Sequence, residues 1–63
     1  MTNWTIAQIQ RISQRYTRMT DEERAEERTH QRSIMNSANV DSHDFDVAVS
    51  RLDILDMVEG KMD

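Results

Sequence analysis

Residues 41–60, DSHDFDVAVSRLDILDMVEG, constrain the fold more than any other part of the chain, because only here are apolar side chains dense enough to build a core around. The ends of the stretch read as helix ends. Asp41 is a good N-cap, since its carboxylate accepts from the free amides of a first turn. Asp44 then falls at N3, and both acids face the positive end of the helix dipole. Val40 and Phe45 have the spacing of a hydrophobic staple. Gly60 stands where a left-handed residue would close the helix, with Lys61 after it. A strand is the alternative, because residues 45–49 alternate and Val is common here. A run of about 18 residues with no turn signal inside it favours the helix.

At about 100° per residue, Phe45, Ala48, Val49, Leu52 and Leu55 form one stripe. Val47, Ile54 and Val58 form a second, roughly opposite. A surface helix needs only one apolar stripe. Two predict a helix that is covered twice, by the rest of its own chain on one side and by a second copy or a partner on the other. Val47, Ile54 and Val58 are therefore the candidate self-association or partner face. The plain alternative is that they are scattered exposed apolar side chains, which are common.

Sixty-three residues make one domain at most, spanning 1–63. A chain this short buries only about 60% of its unfolded surface, so disulfides, a metal or oligomerisation usually support it. The absence of Cys excludes disulfides and cysteine-based zinc sites. Oligomerisation is the support left open, and a homodimer is its commonest form. No apolar run is long enough to cross a membrane. Residues 1–10, MTNWTIAQIQ, lack both the basic start and the unbroken apolar region of a signal peptide. The expectation is a soluble, cytoplasmic protein, with which a cysteine-free chain agrees.

Thr5 and Gln8 fit a capping box, and Trp4 with Ile9 has staple spacing. Ile6, Ile9, Ile12, Tyr16 and Met19 then recur every three or four residues, the cleanest periodic signal in the chain. This stripe would cover Phe45, Ala48, Leu52 and Leu55, with Trp4 packed on the first turn. Arg11, Arg15 and Arg18 gather on the polar side. Thr20 and Glu23 form a second capping box. No Gly or Pro separates the two boxes, so one continuous helix and a break near 19–20 are both open. Carried past Met19 in the same phase, the seam meets Glu23, Glu26, His30 and Ser33. Residues 20–33 are thus expected not to extend the core.

The charge order of 20–33, TDEERAEERTHQRS, is unusual. The pairs at i, i+4 are Glu22 with Glu26, Glu23 with Glu27, Arg24 with Arg28 and Arg28 with Arg32, all like with like. Each costs about 0.2–0.5 kcal/mol in an isolated helix. Asp21 with Arg24 and Arg24 with Glu27, at i, i+3, offset part of this. The result is an acidic stripe beside a basic one: a surface for a charged partner or second subunit, or an ordinary solvated helix. Residues 1–37 hold six Arg against five acids, and residues 38–63 hold seven acids against Arg51 and Lys61. Ile34 and Met35 give a small apolar point before a loop at 36–39, rich in residues that compete with helical hydrogen bonding. The predicted fold is all-α: a helical hairpin with a long or kinked first arm over 5–36, a second arm over 41–59, and two hairpins pairing into a helical-bundle dimer.

Little chemistry is on offer. Asp41, His43, Asp44 and Asp46 crowd six positions, but an EF-hand loop would need its glycine and a distant Glu. His30 stands alone in a polar segment and reads as solvated. No Ser–His spacing recommends a triad, and a core this small is a poor source of the shaped, dry pocket one needs. The single Gly stands at a helix end, not in a phosphate loop. The expectation is a non-enzymatic chain with no catalytic residue, cofactor or metal. Nucleic-acid binding is the serious rival. A recognition helix over 41–59 would carry Asp44, Asp46, Asp53, Asp56 and Glu59, the wrong sign for a phosphate-lined groove. Arg11, Arg15 and Arg18, with Arg24, Arg28 and Arg32, could serve instead in a dimer, against a net charge of -4. The acidic second half could conversely mimic nucleic acid on a basic partner.

The length, the Met-Thr-Asn-Trp opening and the preference for Arg over Lys resemble the small proteins encoded by lambdoid bacteriophages between their exonuclease and excisionase genes. The resemblance covers the whole chain and carries no site residue with it. It implies a non-enzymatic early accessory protein that bends host or phage regulation toward lytic growth, acting on a host or phage protein in the host cytoplasm.

Overall fold

Two extended residues, Met19 and Thr20, divide the first arm. The computed structural model describes residues 4–60, which form α1 (Ile6–Arg18), α2 (Asp21–Ser37) and α3 (His43–Val58). Met19 ends α1 at ψ 149° and Thr20 opens α2 at ψ 165°. The break needs neither Gly nor Pro because side chains satisfy both helix ends. The Thr20 hydroxyl accepts from the Glu23 amide at 3.2 Å, and the Glu23 carboxylate accepts from the Thr20 amide at 2.9 Å. Thr5 and Gln8 close the same box on α1. Of the two arrangements open to the first arm, the chain takes the broken one, and the fold is an all-α arrangement of three helices.

The start of α3 departs from the sequence reading. Its N-cap is Ser42, not Asp41, and the Ser42 hydroxyl accepts from the Phe45 amide at 3.2 Å. Asn39 is the cause. Its carbonyl accepts from the Ser42 amide at 2.8 Å and from the Ser42 hydroxyl at 2.6 Å, and its side-chain oxygen accepts from the Asp41 amide. Asp41 is thereby held inside a turn. The shift moves N′ from Val40 to Asp41, so the Val40–Phe45 staple does not form and Val40 is exposed. Gly60 does close the helix, at φ +71°, the left-handed region that a side chain would strain. Lys61 and the Met-Thr-Asn opening lie outside the described residues.

α3 packs against both other helices. Against α1 the seam is apolar: Tyr16, Ile54 and Leu55 form the buried cluster, and Trp4, Ile9, Ile12, Met19, Leu52 and Val58 pack around it. Full burial of a side chain such as Ile54 or Leu55 is worth about 1.5–3 kcal/mol. Ile6, the first residue of the predicted α1 stripe, is instead 75% exposed. The second stripe of α3 is also placed differently from expectation. Ile54 is only 6% exposed, inside the α1–α3 cluster, and Val58 lies at its margin. Val47 is half-buried. The break at Met19 and Thr20 explains this. It turns one long arm into two helices that cover α3 from different directions, so Ile54 is covered within the single chain.

Candidate functional site

The seam between α2 and α3 is polar, and the sequence reading missed it. The Thr20 box starts a new helix in a new phase. Glu23, Glu26, His30 and Ser33, which would have continued the α1 seam, are exposed. Arg24, Glu27, Arg28, Gln31, Ile34 and Met35 turn inward instead, each half-buried or better. They recur at the helical spacing of three and four. That stripe was present in the sequence, but its first four members are polar, and a search for apolar periodicity passes over them.

Both arginines of this stripe are paired with acids. Arg28 donates through Nη1 to the Asp56 carboxylate at 2.5 Å and through Nη2 to Glu59, bridging two acids on the last turns of α3. The Asp56 hydrogen bond, with help from Glu59, holds the Arg28 guanidinium above its ordinary pKa, and burial opposes it. Arg24 donates through Nη1 to the carbonyls of Tyr16 at 3.1 Å and Met19 at 2.6 Å, and through Nη2 to Asp21. Its Nε lies 3.9 Å from Glu59, a charge contact without a hydrogen bond. Arg24 thus supplies the donors that the C-terminal carbonyls of α1 lack, with a positive charge at the negative end of the dipole.

Arg11, Arg15 and Arg18 are exposed along the outer side of α1. Arg15 and Arg18 lie in its last turn, where they also favour the dipole. Arg32 is exposed farther along, on α2. The six arginines of the first arm therefore do not make one basic surface.

Behind the polar seam, Tyr16 is 1% exposed and Gln31 3%. The Gln31 amide donates to Glu27 at 2.7 Å. The Tyr16 hydroxyl is buried with no hydrogen-bond partner among the described residues. Burial pushes its phenol up, the Glu27 carboxylate adds to this, and the guanidiniums of Arg51 and Arg15 pull the other way. On the outer side of Arg51 lies a hollow of about 370 Å³ lined by His30, Gln31, Ile34, Asp44, Val47 and Arg51. Val47 is the member of the predicted partner face that this hollow includes.

Among the described residues no group of three or more His, Asp or Glu is placed to hold a metal ion, and Asp41, His43, Asp44 and Asp46 are not brought together as one. No described helix is long and apolar enough to cross a membrane. No family model matches the chain. No curated protein and no solved structure matches it either.

Proposed function

We propose that this chain is a non-enzymatic accessory protein that acts by binding another protein. The observation that carries the reading over its rival is the engagement of Arg24 and Arg28 with Asp21, Asp56 and Glu59. The nucleic-acid reading rests on Arg11, Arg15 and Arg18 in a dimer, a set that Arg24, Arg28 and Arg32 would extend. Arg24 and Arg28 are paired within the fold, and Arg11, Arg15, Arg18 and Arg32 are left exposed beside an acidic second half. A smaller exposed basic set neutralises fewer phosphates.

An early regulatory role in a bacteriophage belongs to the same proposal and rests on the resemblance of the sequence alone. A second copy of the chain is one candidate partner. With Ile54 covered, Ile6 and Met57 are large apolar side chains left for a dimer contact, at 75% and 50% exposed.

A mobility shift assay with mixed RNA and DNA at low and physiological salt tests the main reading, and no retention is expected. Retention with a steep salt slope, lost in the triple variant Arg11→Ala, Arg15→Ala, Arg18→Ala, would replace it with nucleic-acid binding. Sedimentation equilibrium of the wild-type chain and of Ile6→Glu tests the dimer. A monomer at high micromolar concentration removes it.

A further inference from the structure

Three arginines turn toward the interior of this fold: Arg24, Arg28 and Arg51 are all half-buried. The first two are paired with carboxylates. No carboxylate of the described residues pairs with Arg51, and its Nε is buried with no hydrogen-bond partner. Inside the fold it lies beside the Tyr16 hydroxyl, a neutral group, and the Glu27 carboxylate that also acts on that hydroxyl does not pair with Arg51. A partly buried cation without a counter-charge is costly, and the same fold supplies acids to its other two.

The surroundings of Arg51 define what would compensate it. The hollow of about 370 Å³ in front of it has apolar walls from Ile34 and Val47, while His30 and Gln31 offer further hydrogen-bond donors. Its volume is near the low end for ligand sites, about 300–1,000 Å³. Asp44 also lines it but is exposed, and its carboxylate does not pair with Arg51. A planar guanidinium prefers a carboxylate, which it can hold through two parallel hydrogen bonds. The apolar walls suit a carboxylate carried on an apolar stem.

We propose that the Arg51 hollow is a docking point for a carboxylate flanked by apolar side chains, presented by a segment of a partner protein. The proposal rests on the protein-binding reading and names the chemistry of the contact. The acid completes on Arg51 the pairing that Asp56 and Glu59 provide for Arg28, and its apolar neighbours cover Ile34 and Val47.

Titration of isotope-labelled protein, followed by nuclear magnetic resonance, tests this with defined probes: sodium isovalerate, sodium acetate and sodium chloride at matched ionic strength, and the capped tripeptide acetyl-Leu-Glu-Leu-amide. The expected result is a saturable shift of the Arg51 Nε–H signal and of the Ile34 and Val47 methyls. It should be strongest with the tripeptide, weaker with isovalerate, weaker again with acetate and absent with chloride. Arg51→Met should weaken the tripeptide by at least about tenfold, the loss expected for one charged hydrogen bond. Unsaturable shifts, equal shifts with chloride, or undiminished binding by Arg51→Met would overturn the site. Isovalerate binding as tightly as the tripeptide would overturn the protein segment in favour of a small free carboxylate. Should Arg51→Met not fold, Arg51→Lys keeps the charge without the planar fork, and unchanged affinity there would overturn the role of the guanidinium. A native partner retained equally by wild type and Arg51→Met would remove the hollow while leaving the protein-binding reading in place.

Discussion

Nη1 of Arg28, on α2, donates to Oδ1 of Asp56, on α3, at 2.5 Å, and the same guanidinium reaches Glu59 one turn on. Arg28→Ala leaves two acids side by side at the end of α3. Arg28 and Glu59 are each only 17% exposed, while Asp56 is 37% exposed, so solvent screens part of the interaction. The expected loss is about 1–2 kcal/mol, from hydrogen bonds to charged groups discounted for that exposure. Urea unfolding followed by circular dichroism measures it. The difference between variant and wild type should shrink at high salt.

Tyr16→Phe removes a buried hydroxyl that has no partner among the described residues. Its cost at neutral pH should be within about 1 kcal/mol. The larger effect is at high pH. The folded-state phenol is raised, mainly by burial, so the neutral form is favoured. Its contribution is complete below the unfolded value of about 10 and is lost as pH rises through the higher folded value. The chain has one Tyr, no Cys and a single Lys, Lys61, so few other side chains titrate there. Denaturation midpoints measured between about pH 8 and 11 should fall for the wild type and be flatter for Tyr16→Phe. Parallel curves would contradict this.

Thr20→Ala removes the cap that opens α2 and should cost about 1 kcal/mol. Glu23 is the other half of the box. The Thr20 amide, then its hydroxyl, hold the Glu23 carboxyl below its ordinary range. That contribution is present above the unfolded carboxyl value and is lost as pH falls through the folded one. Thermal unfolding of Glu23→Gln should therefore show a shallower acid limb than wild type.

Ile54→Ala empties part of the α1–α3 cluster and should cost about 2–5 kcal/mol. Ile6→Ala, at an exposed position, should stay within about 0.5 kcal/mol. Equal effects in urea unfolding would mean that Ile6 is buried in solution, as a dimer contact would make it.

The helical class, both capping boxes and the closing Gly60 were legible because each rests on near neighbours in sequence. So was most of the α1 seam, from Ile9 to Met19, because its apolar side chains repeat with the helix. Ser42 displaced Asp41 as a cap through hydrogen bonds to Asn39, which weigh against a good cap by placing it in a turn. Ile54 was misplaced for a larger reason. The break beside Thr20 decides which sides of α3 receive cover, and no apolar pattern announces it. The polar seam was hidden because Arg24, Arg28 and Gln31 are residue types expected in water. Of the candidate site, Val47 belongs to the second apolar stripe of the sequence, while Arg51 stands out there only as one of two basic residues among seven acids.

The apolar cluster joins α1 to α3, with all of α2 lying between them in sequence. A chain emerging from the ribosome therefore exposes the α1 sequence before Ile54 and Leu55 exist for Ile9, Ile12 and Tyr16 to bury against. α2 offers them mostly charged and amide groups. The core closes only when Ile54 and Leu55 arrive, and until then the nascent α1 presents its greasy side to whatever binds new chains in the cell.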